Sequence, residues 1–585
     1  DGAFELKIPS DNGIITVTYI GYDPLSVKIE PNKSIYSIIL KSNQNSLDEV
    51  VVTALGIKRE ERGLGFSTET INGEALTDSR SNNWATALSG KVAGLNITSA
   101  GGGPLGTSRI SLRGDNSMNI DGNNALVVLD GVPIGGAATG TGADSYGAGA
   151  GSDIPIDFGD AISDINPDDI ESVTVLKGPS AAALYGSRGA NGALIITTKS
   201  GTKQKKGIGV SFSSSFSIDN VLRWPDYQYE YGQGTQQKDK NGNWYYSYGA
   251  SEDGVNTGST SSAFGPKFDG QMYFQYDPEQ EGQSLERQLW RPYKNNIKDF
   301  WQTGTDFRNN ISVEGASEKS AFRMSLSHQA NKWMMPNTGF NRISFATSFD
   351  YKVTNKLKFN TKINFTNRSS DNLPGTGYNN QSIAYFMIFQ NPNVDLAWYR
   401  PMWKKDKNQI EQIHPFSSYI DNPYIIAYEM QNPSDKNTLI GSANAIYEFS
   451  RKFELLLRTS LEMSHENRSQ ERPYNTANYT KGYYREDDIN YLESNTDFLC
   501  TYRDQLSKQL GFRASAGGNI RKTEYRNKSG YVIGLVTPGV YKLSNGITSP
   551  FLNSTNREKQ VISLYGTINM NYGKILFIDI TGRND

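Results

Sequence analysis

The sequence lacks the residues that a disulfide-bonded, metal-binding or helical membrane protein would need. Cys500 is the single cysteine among 585 residues, so no disulfide can form within the chain and no cysteine metal cluster is available. His328, His414 and His465 lie far apart in sequence and are interpreted as surface or loop residues. No run approaches the roughly eighteen apolar residues of a transmembrane helix, which excludes that type of membrane span.

An excess of charge of one sign is also missing. The chain has 59 basic and 61 acidic residues, which gives no indication of nucleic-acid binding. It contains no phosphate-binding loop, no nucleophile elbow and no HExxH motif, so we predict neither enzymatic activity nor a cofactor. Asp164, Asp168 and Asp169 lack the ligand spacing of a known calcium loop, and no metal site is predicted.

What the sequence does contain is glycine, aromatic residues and period-two alternation. Its 57 glycines, 33 tyrosines, 25 phenylalanines and 8 tryptophans suit turns and aromatic girdles. Beyond residue 206, apolar side chains alternate with polar ones: Phe322, Met324 and Leu326 share one face, with Arg323 and Ser325 on the other. Alternation over about ten residues suits a membrane-spanning β-strand, although a soluble β-sandwich produces the same pattern.

The lengths of the connections favour the membrane interpretation. We predict eleven strands, at 208–218, 308–316, 320–330, 341–352, 357–368, 438–449, 453–464, 493–504, 509–522, 558–571 and 574–583. Short turns alternate with connections predicted to be long at 219–307, 369–437, 465–492 and 523–557. This asymmetry is typical of outer-membrane barrels and uncommon in soluble sandwiches. On this interpretation Phe322, Phe345, Leu455 and Leu457 also face lipid, and arginine at a lumen position such as Ser325 should cost little.

An α+β domain is predicted at 57–205. Residues 170–201, IESVTVLKGPSAAALYGSRGANGALIITTKSG, predict two strands joined by a compact turn and helix. Upstream, the apolar spacing of Trp84–Leu95 predicts a helix, and 110–114 and 125–134 predict strands that end in turns. Each of these fragments is a weak signal by itself.

Together and in order, KVAGLNI, LRG, VVLDGVPI and IESVTVLKGPSAAALYGSRGANG resemble the plug domain of SusC-like TonB-dependent outer-membrane transporters. The motif residues that the resemblance marks are Arg113, Gly114, Asp130, Gly131, Lys177, Gly178, Arg188 and Gly189. Arg113 and Arg188 are candidates for ion pairs with the barrel wall, and a solvated or locally paired arginine is the alternative.

The segments before the plug extend the resemblance. Residues 1–44, with strands predicted at Ala3–Ile8, Ile14–Ile20 and Leu25–Ile29, resemble the C-terminal part of a carboxypeptidase-regulatory-like β-sandwich extension. Residues 45–56 contain a run that resembles a TonB box, although a buried strand would look the same. Its residues are Leu47, Asp48, Glu49, Val50, Val51, Val52 and Thr53.

The resemblance implies a mainly β fold with three parts: a partial β-sandwich extension, an α+β plug, and at 206–585 the first half of a 22-stranded antiparallel transmembrane β-barrel. We expect the first sandwich strands and the other barrel strands to lie outside this sequence, because an unpaired strand edge in hydrocarbon is costly. The implied location is the outer membrane of a Gram-negative bacterium.

The function implied by the resemblance is TonB-dependent import of an oligosaccharide or oligopeptide. The implied partners are the TonB–ExbB–ExbD energy complex, a SusD-like surface lipoprotein that acts as a lid, the glycan or peptide substrate and the lipid bilayer. The resemblance also allows a dimer of transporter–lipoprotein pairs. The alternative is a non-transporting surface protein, an adhesin or a porin.

The long loops carry the question of substrate and partner. Aromatic residues are concentrated in 219–250, and those nominated for contact with a substrate or partner are Trp224, Tyr227, Tyr229, Trp244 and Tyr246. Aromatic rings stack on sugars and pack on peptides, but girdle anchoring or packing on a partner protein is the alternative. Asn391-Pro392 and the segment Asp421–Tyr424 occur in the 369–437 loop, which is a second expected partner surface.

Overall fold

A computed structural model shows a mainly β architecture, as predicted. The structure describes residues 14–17, 25–28, 36, 38, 50–52, 58–60, 67–77, 83–99, 101–115, 117–118, 120–135, 156–178, 183–201, 207–238, 240–242, 244–247, 265–377, 379–415, 420–573 and 575–585.

Two short antiparallel pairs precede the plug. β1 (Ile14–Val17) pairs with β2 (Leu25–Lys28), and β3 (Val50–Val52) pairs with β4 (Lys58–Glu60). The strand predicted at Ala3–Ile8 lies outside the described residues. β-Branched residues dominate β1 and β3, which fits their strand conformation.

The plug contains a five-stranded sheet, and its elements follow in chain order. They are β5 (Thr68–Asn72), α1 (Glu74–Thr77), a 3₁₀ helix (Trp84–Leu88), β6 (Leu95–Ser99), a 3₁₀ helix (Gly103–Leu105), β7 (Ser108–Leu112), a 3₁₀ helix (Ile120–Asn123), β8 (Leu126–Leu129), β9 (Val132–Ile134), a 3₁₀ helix (Pro167–Asp169), β10 (Ile170–Leu176), a 3₁₀ helix (Ala183–Gly189) and β11 (Ala193–Thr198). The strand order is β5-β10-β11-β8-β9, in which only β11 and β8 are parallel. β6 and β7 form a separate hairpin.

The strands predicted around 110–112, 126–134, 172–176 and 193–198 are confirmed. The prediction of a helix at Trp84–Leu95 is wrong beyond Leu88, where the observed 3₁₀ helix ends. Asn83 caps the 3₁₀ helix by accepting from the Ala85 amide, and the chain then turns through Gly90 and Gly94 into β6. Both glycines have positive φ, which a continuing helix does not allow.

From residue 207 onward the chain builds a large sheet and two long insertions. β12 (Gly207–Asp219) is followed by the first insertion, which carries β13 (Thr235–Lys238), β14 (Trp244–Ser247), β15 (Met272–Tyr273), β16 (Tyr276–Asp277), β17 (Gly282–Gln283), β18 (Gln288–Leu289) and α2 (Asn296–Phe300). Then come β19 (Gly304–Ala316), β20 (Ser320–Lys332), β21 (Gly339–Lys352) and β22 (Leu357–Ser370). The second insertion carries α3 (Ile383–Phe389), a 3₁₀ helix (Leu396–Tyr399) and α4 (Pro423–Tyr428). The last strands are β23 (Ser434–Glu448), β24 (Phe453–Tyr474), β25 (Lys481–Gln505), β26 (Leu510–Ile533), β27 (Phe551–Tyr572) and β28 (Leu576–Asn584), with a 3₁₀ helix (Leu543–Asn545) before β27.

β12 and β19–β28 form an eleven-stranded sheet in which each strand pairs antiparallel with the next. The eleven predicted strands are therefore confirmed. The long loops predicted at 465–492 and 523–557 are wrong, because β24 and β25 continue to Tyr474 and from Lys481, and β26 and β27 continue to Ile533 and from Phe551. The cross-strand ladder is unbroken through most of these extensions.

The two faces of the sheet differ as the alternation predicted. Met324 and Leu326 are about half exposed on the outer face, whereas Arg323 and Ser325 between them are buried against the plug on the inner face. The plug therefore packs on the inner face of the sheet. Among the described residues, no helix has both the length and the apolar character to cross a membrane.

The two insertions pack on each other into one unit, which we call the loop module (the described parts of 220–303 and 371–433). The Gln233 amide donates to Asn393 Oδ1 at 2.7 Å, and the Tyr293 amide donates to the Pro392 carbonyl at 2.8 Å. The module has its own hydrophobic core, with members that include Phe300, Phe386, Leu396, Tyr399, Ile425 and Met430.

Candidate functional site

The plug motif residues at 130–131 form a tight turn that faces the sheet. Asp130 and Gly131 both have positive φ, 50° and 85°, between β8 and β9. Asp130 tolerates this conformation because its carboxylate accepts from the Thr198 amide at 2.9 Å and the Thr198 hydroxyl at 2.6 Å. We call the eleven-stranded sheet the wall. A Cβ at Gly131 would lie 3.3 Å from Arg458 Nη1 of β24, so glycine permits close approach of the plug to the wall.

Asp130 also pairs with the sheet directly. Lys362 Nζ of β22 lies 2.8 Å from Asp130 Oδ1 and donates to the Thr198 carbonyl at 2.7 Å. Lys362 is thus held by one carboxylate and one carbonyl of the plug. Because both partners are buried, removal of either would leave an uncompensated charge.

Arg188 makes the second contact of this kind. Its two terminal nitrogens donate to the two oxygens of Glu493 on β25, at 3.1 and 3.0 Å. The Glu493 carboxylate also accepts from the Tyr491 hydroxyl and from the Asn495 and Thr523 side chains. This bidentate geometry is specific to the planar guanidinium group. The structure therefore places Arg188 in a plug–wall ion pair.

Sequence reasoning missed two further plug–wall pairs. Asp169 Oδ1 accepts from Arg323 Nη1 at 2.8 Å and from the Ser325 hydroxyl at 2.5 Å. Asp164 accepts from Arg368 at 2.9 Å and from Lys436 at 2.8 Å, one oxygen for each cation. The sequence offered a signal only for Arg323, which lies between Phe322 and Met324 at an inward position of β20, and it gave no indication of the plug partner.

Backbone groups of the plug are bonded to the wall as well. Arg342 Nη1 of β21 donates to the Ser163 carbonyl at 2.6 Å, and Arg368 Nη2 donates to the Phe158 carbonyl at 2.8 Å. Residues 158–169 are therefore bonded to three neighbouring strands, β20 to β22, and to Lys436 of β23. Burial alone would raise the pKa of Asp164, but Arg368 and Lys436 hold it below its usual range.

The remaining motif residues act inside the plug. The Arg113 amide donates to the Gly94 carbonyl at 2.8 Å, and its side chain lies over Gly178. Arg113 is exposed and, within the described part of the chain, forms no ion pair with the wall strands. Lys177 pairs with Glu69 at 2.9 Å, and the Gly189 carbonyl accepts from the Gly192 amide at 3.0 Å. Gly114 continues the turn that Arg113 begins, with φ of 86°.

The aromatic residues nominated in the loops are divided between two environments. Trp224 and Tyr227 pack against the core of the loop module, so part of their surface serves packing. The Tyr229 hydroxyl donates to the Lys294 carbonyl at 2.9 Å. Trp244 and Tyr246 lie on β14, opposite Lys238 and Gln236 of β13.

Most of the residues named in the second expected partner surface, the 369–437 loop, lie inside the loop module. Asn391, Asp421, Asn422 and Pro423 are buried. Asn422 caps α4 by accepting from the Tyr424 amide at 2.9 Å. These buried residues therefore support the module from within, and any partner contact by the 369–437 loop has to be made by its other residues.

Asp421 is a buried carboxyl group inside the loop module. Its Oδ1 accepts from Gln412 Nε2 at 2.8 Å and from the Ala477 amide at 2.9 Å, while Oδ2 has no hydrogen-bond partner among the described residues. Burial raises the pKa of Asp421 to about 7, against the weaker lowering effect of these two donors. In the plug, burial likewise raises the pKa of Asp160 to about 6.

The run that resembles a TonB box is described only in part. Val50, Val51 and Val52 form β3, which pairs with β4. Leu47, Asp48, Glu49 and Thr53 lie outside the described residues. The described portion is therefore an extended strand just before the plug.

Comparisons with known proteins agree with this architecture. Residues 60–193 match the family model of the TonB-dependent receptor plug domain. The chain is 26% identical over 482 residues to the TonB-dependent receptor SusC of Bacteroides thetaiotaomicron, covering 79% of this chain and 41% of that protein. The chain is therefore SusC-like: residues 60–193 are a TonB-dependent receptor plug domain, and the chain is similar along most of its length to TonB-dependent receptors. Its location is the outer membrane of a Gram-negative bacterium, as predicted.

The SusC-like receptor also resembles the TonB-dependent receptor P3 of Formosa agariphila, at 24% identity over all of this chain and 51% of that protein. Among solved structures, it matches the RagAB peptide importer in the "open-open" state, with a TM-score of 0.66, 17% identity, and coverage of 92% of this chain and 56% of that chain. The "closed-closed" state gives a TM-score of 0.63 at 18% identity, with 89% and 55% coverage. The sequence spans about half the length of these relatives, and the structural matches establish the fold.

Proposed function

We propose that this receptor imports a nutrient, an oligosaccharide or an oligopeptide, across the outer membrane and that TonB supplies the energy. The observation that carries the proposal is the plug packed on the inner face of the sheet by buried ion pairs. A plug held in this way blocks passage through a pore until work is done on it. A porin has no use for such a plug.

The contacts between plug and wall suit a gate that opens under force. The pairs of Asp130, Asp164, Asp169 and Arg188 are local and separate, and each links one plug residue to wall side chains. Ion pairs of this kind can be broken one after another, and the apolar contacts between plug and wall are divided among separate clusters, such as Tyr185 with Leu499 and Tyr565. This geometry supports a plug that is remodelled in steps.

We propose that TonB binds the run at 47–53, of which Val50–Val52 is an extended strand. An extended segment can add as a strand to the sheet edge of a partner, with main-chain hydrogen bonds supplying the affinity. We assign this role to Leu47, Asp48, Glu49, Val50, Val51, Val52 and Thr53, with TonB as the partner. Pairing with TonB would then replace the pairing of β3 with β4.

The partner and substrate are proposed from the loop module. A module with its own core can present a stable surface to a SusD-like lipoprotein lid, and the exposed parts of Trp224, Tyr227 and Tyr229 provide aromatic contact area. The RagAB peptide importer among the structural relatives supports the peptide class, and the glycan class rests on the resemblance to SusC-like transporters.

The test is a substitution within residues 47–53, outside the plug and the barrel. Val51→Pro removes a main-chain donor, so we expect growth on the imported glycan or peptide to fall to the level of a strain lacking TonB. Val51→Thr keeps the donor and the β-branched shape and should support normal growth. Normal uptake by the Val51→Pro protein at a normal surface level would contradict TonB coupling and favour a non-transporting surface protein.

A further inference from the structure

The outer face of the sheet carries an apolar groove of about 590 Å³ near its short-turn end. Its floor consists of small outward side chains on three adjacent strands, Ala443 and Ala445 of β23, Thr459 of β24 and Thr496 of β25. Phe359 on β22 forms one wall, and Ile562 and Leu564 on β27 form the other.

Strand register explains the depression. Ala443, Thr459 and Thr496 are direct cross-strand neighbours, so three small residues occur side by side where other outward rows carry Leu or Phe. The two threonine hydroxyl groups lie 3.2 Å apart and satisfy each other. The floor therefore presents almost no free polar group and suits a hydrocarbon occupant.

An aromatic belt fixes the depth of the groove in the membrane. Tyr447, Phe449 and Phe453 pack in a row at the turn between β23 and β24, with ring centroids 4.7 and 5.4 Å apart, and Tyr502 lies near Phe512 on the next strands. Such belts mark the membrane–water interface, and short turns lie on the periplasmic side. Leu457 and Thr459 follow Lys452 by five and seven residues, which puts the edge and the floor of the groove about 12 and about 16 Å above the turns for a tilt of about 45°. An acyl chain whose headgroup lies at the turns, in the periplasmic leaflet, reaches that depth.

Basic residues surround the turns below the groove. The segments 352–358, 448–454 and 503–510 contain seven lysines and arginines against three carboxylates. The carboxylates are taken by Lys358–Glu448, Lys452–Asp504 and Arg503–Glu454 pairs. Lys352, Lys356, Arg451 and Lys508 are exposed and have no ion-pair partner among the described residues.

We propose that this groove and the basic turns bind one anionic phospholipid of the periplasmic leaflet. One acyl chain lies on the small-residue floor between Phe359 and Ile562, and the phosphate contacts Lys356 and Arg451. Juxtamembrane basic residues attract anionic headgroups, and basic recesses at this level retain them. Lipopolysaccharide is excluded by depth, because its phosphates lie in the opposite leaflet. The bound lipid would fix the short turns at this end of the sheet.

The test compares lipids that share acyl chains and differ in headgroup. The full chain is purified from outer membranes in mild detergent, and native mass spectrometry follows addition of phosphatidylglycerol or phosphatidylcholine. We expect one phosphatidylglycerol to bind at least about tenfold more tightly than phosphatidylcholine. The double variant Lys356→Gln/Arg451→Gln should lose this preference, whereas Lys332→Gln/Lys528→Gln, at the opposite end of the strands, should keep it.

A second variant tests the groove itself. Ala443→Phe fills the floor and should abolish retention of the phosphatidylglycerol, whereas Thr347→Phe on the outer face of β21 should not. Equal binding of the two lipids, or an unchanged preference in the Lys356→Gln/Arg451→Gln protein, would overturn the proposal. The proposal would also be overturned if the Ala443→Phe protein lost a dimer but kept the lipid, because the groove would then be an interface between two copies of the chain. If that protein fails to reach the membrane, the headgroup comparison decides alone.

Discussion

Individual charges on the inner face of the sheet are placed where the plug can neutralise them. Lys362, Arg323 and Arg368 are buried, and each is paired with one plug carboxylate. In the Arg188–Glu493 pair the charges are reversed, because the plug supplies the cation and the wall supplies the carboxylate. A buried pair adds little net stability but is costly to break from one side, so these residues specify where the plug sits.

Arg188→Ala should loosen the plug without unfolding the barrel. Glu493 would be left buried and unpaired, at a cost of about 2–4 kcal/mol to the plug-seated state, toward the low end because Arg188 is partly exposed. We expect increased sensitivity of cells to a bulky antibiotic that the outer membrane normally excludes. Arg113→Ala is the matched control, since Arg113 is exposed on the same plug and has no wall pair among the described residues. Equal sensitivity of the two variants would mean that the Arg188 pair does not hold the plug.

Asp421→Asn should stabilise the loop module at high pH. Burial raises the pKa of Asp421 from 3.8 to about 7, so its contribution to stability is fully present below pH 3.8 and is lost as pH rises through about 7. The amide of the variant keeps an acceptor for Gln412 and Ala477 and never ionises. Between pH 5 and pH 8, we expect the stability of the Asp421→Asn protein relative to wild type to rise by about 2 kcal/mol.

Hydrogen exchange of residues 383–430 at the two pH values measures this change. Asp406→Asn, at an exposed position of the same module, should exchange like wild type at both. If Asp421→Asn exchanges faster than wild type at pH 8, the carboxyl group is stabilising in its ionised form, and the interpretation of Asp421 fails.

The residue scale also shows which site contacts the sequence could predict. Arg188 could be nominated because it lies in a long motif with a family resemblance. For Asp164 and Asp169 the sequence raises only the question of metal binding, since their partners Arg368 and Arg323 are more than 150 residues away. Local spacing carries no information on such a pairing. Only the register of the wall strands brings these partners together.

At the scale of the strand, the sequence predicted strand bounds well only where the outer face of the strand is apolar, as a lipid-facing strand requires. The outer face of β20 alternates cleanly, and its predicted bounds are within two residues of the observed ones. β24 and β25 continue far beyond the apolar band, where outward residues such as His465, Asn467 and Asp488 are polar. In these extensions both faces are polar, so period-two hydrophobicity vanishes and the sequence predicts loops where the strands continue. The backbone ladder and cross-strand polar pairs hold them instead.

Met324→Arg tests the outer face of β20. Met324 is 49% exposed in the middle of the apolar band, so arginine there should cost about 2–4 kcal/mol of folding free energy in the bilayer. Gln560→Arg, outward on β27 but beside Lys522, should cost less than about 0.5 kcal/mol. Unfolding by guanidinium in vesicles measures both, and equal costs would mean that β20 does not face lipid.

The structure corrects the expectation for the inner face. Ser325 was expected to tolerate arginine because lumen positions are usually solvated. Its hydroxyl instead donates to Asp169, and the side chain is buried beneath the plug. Arginine at Ser325 would collide with the plug beside Arg323, so it cannot serve as a control for lipid exposure.

At the scale of the whole molecule, the plug and the loop module are attached to different parts of one wall and meet where Ile156 pairs with Gly375. The plug packs against the inner face of the sheet, and the loop module continues from the ends of the strands opposite the short turns. Gln409 and Glu429 of the module reach each other, and its Lys405 amide meets Glu281 across the two insertions. Because the loop module has its own hydrophobic core, its surface is ordered before a partner binds. This order lowers the entropic cost of binding.

The loop module presents the surface on which we expect a partner protein to bind. We expect a surface lipoprotein to copurify with the receptor after mild detergent extraction and to lie over the loop module, with substrate held between the two. Trp224→Ala removes aromatic area that is half-buried in the module, so it tests packing, whereas Tyr231→Ala removes a ring that is exposed. Because exposed tyrosines are enriched at interfaces, Tyr231→Ala should weaken copurification about tenfold while leaving the surface level of the receptor unchanged. Leu222→Ala is the control, because Leu222 is an even more exposed apolar residue of the same segment. It should reduce copurification of the lipoprotein less than Tyr231→Ala does, unless the partner is held by nonspecific hydrophobic adsorption. Recovery of receptor alone, together with whole-cell cross-linking that captures no lipoprotein at residues 219–307 or 369–437, would mean that the loop module captures substrate unaided.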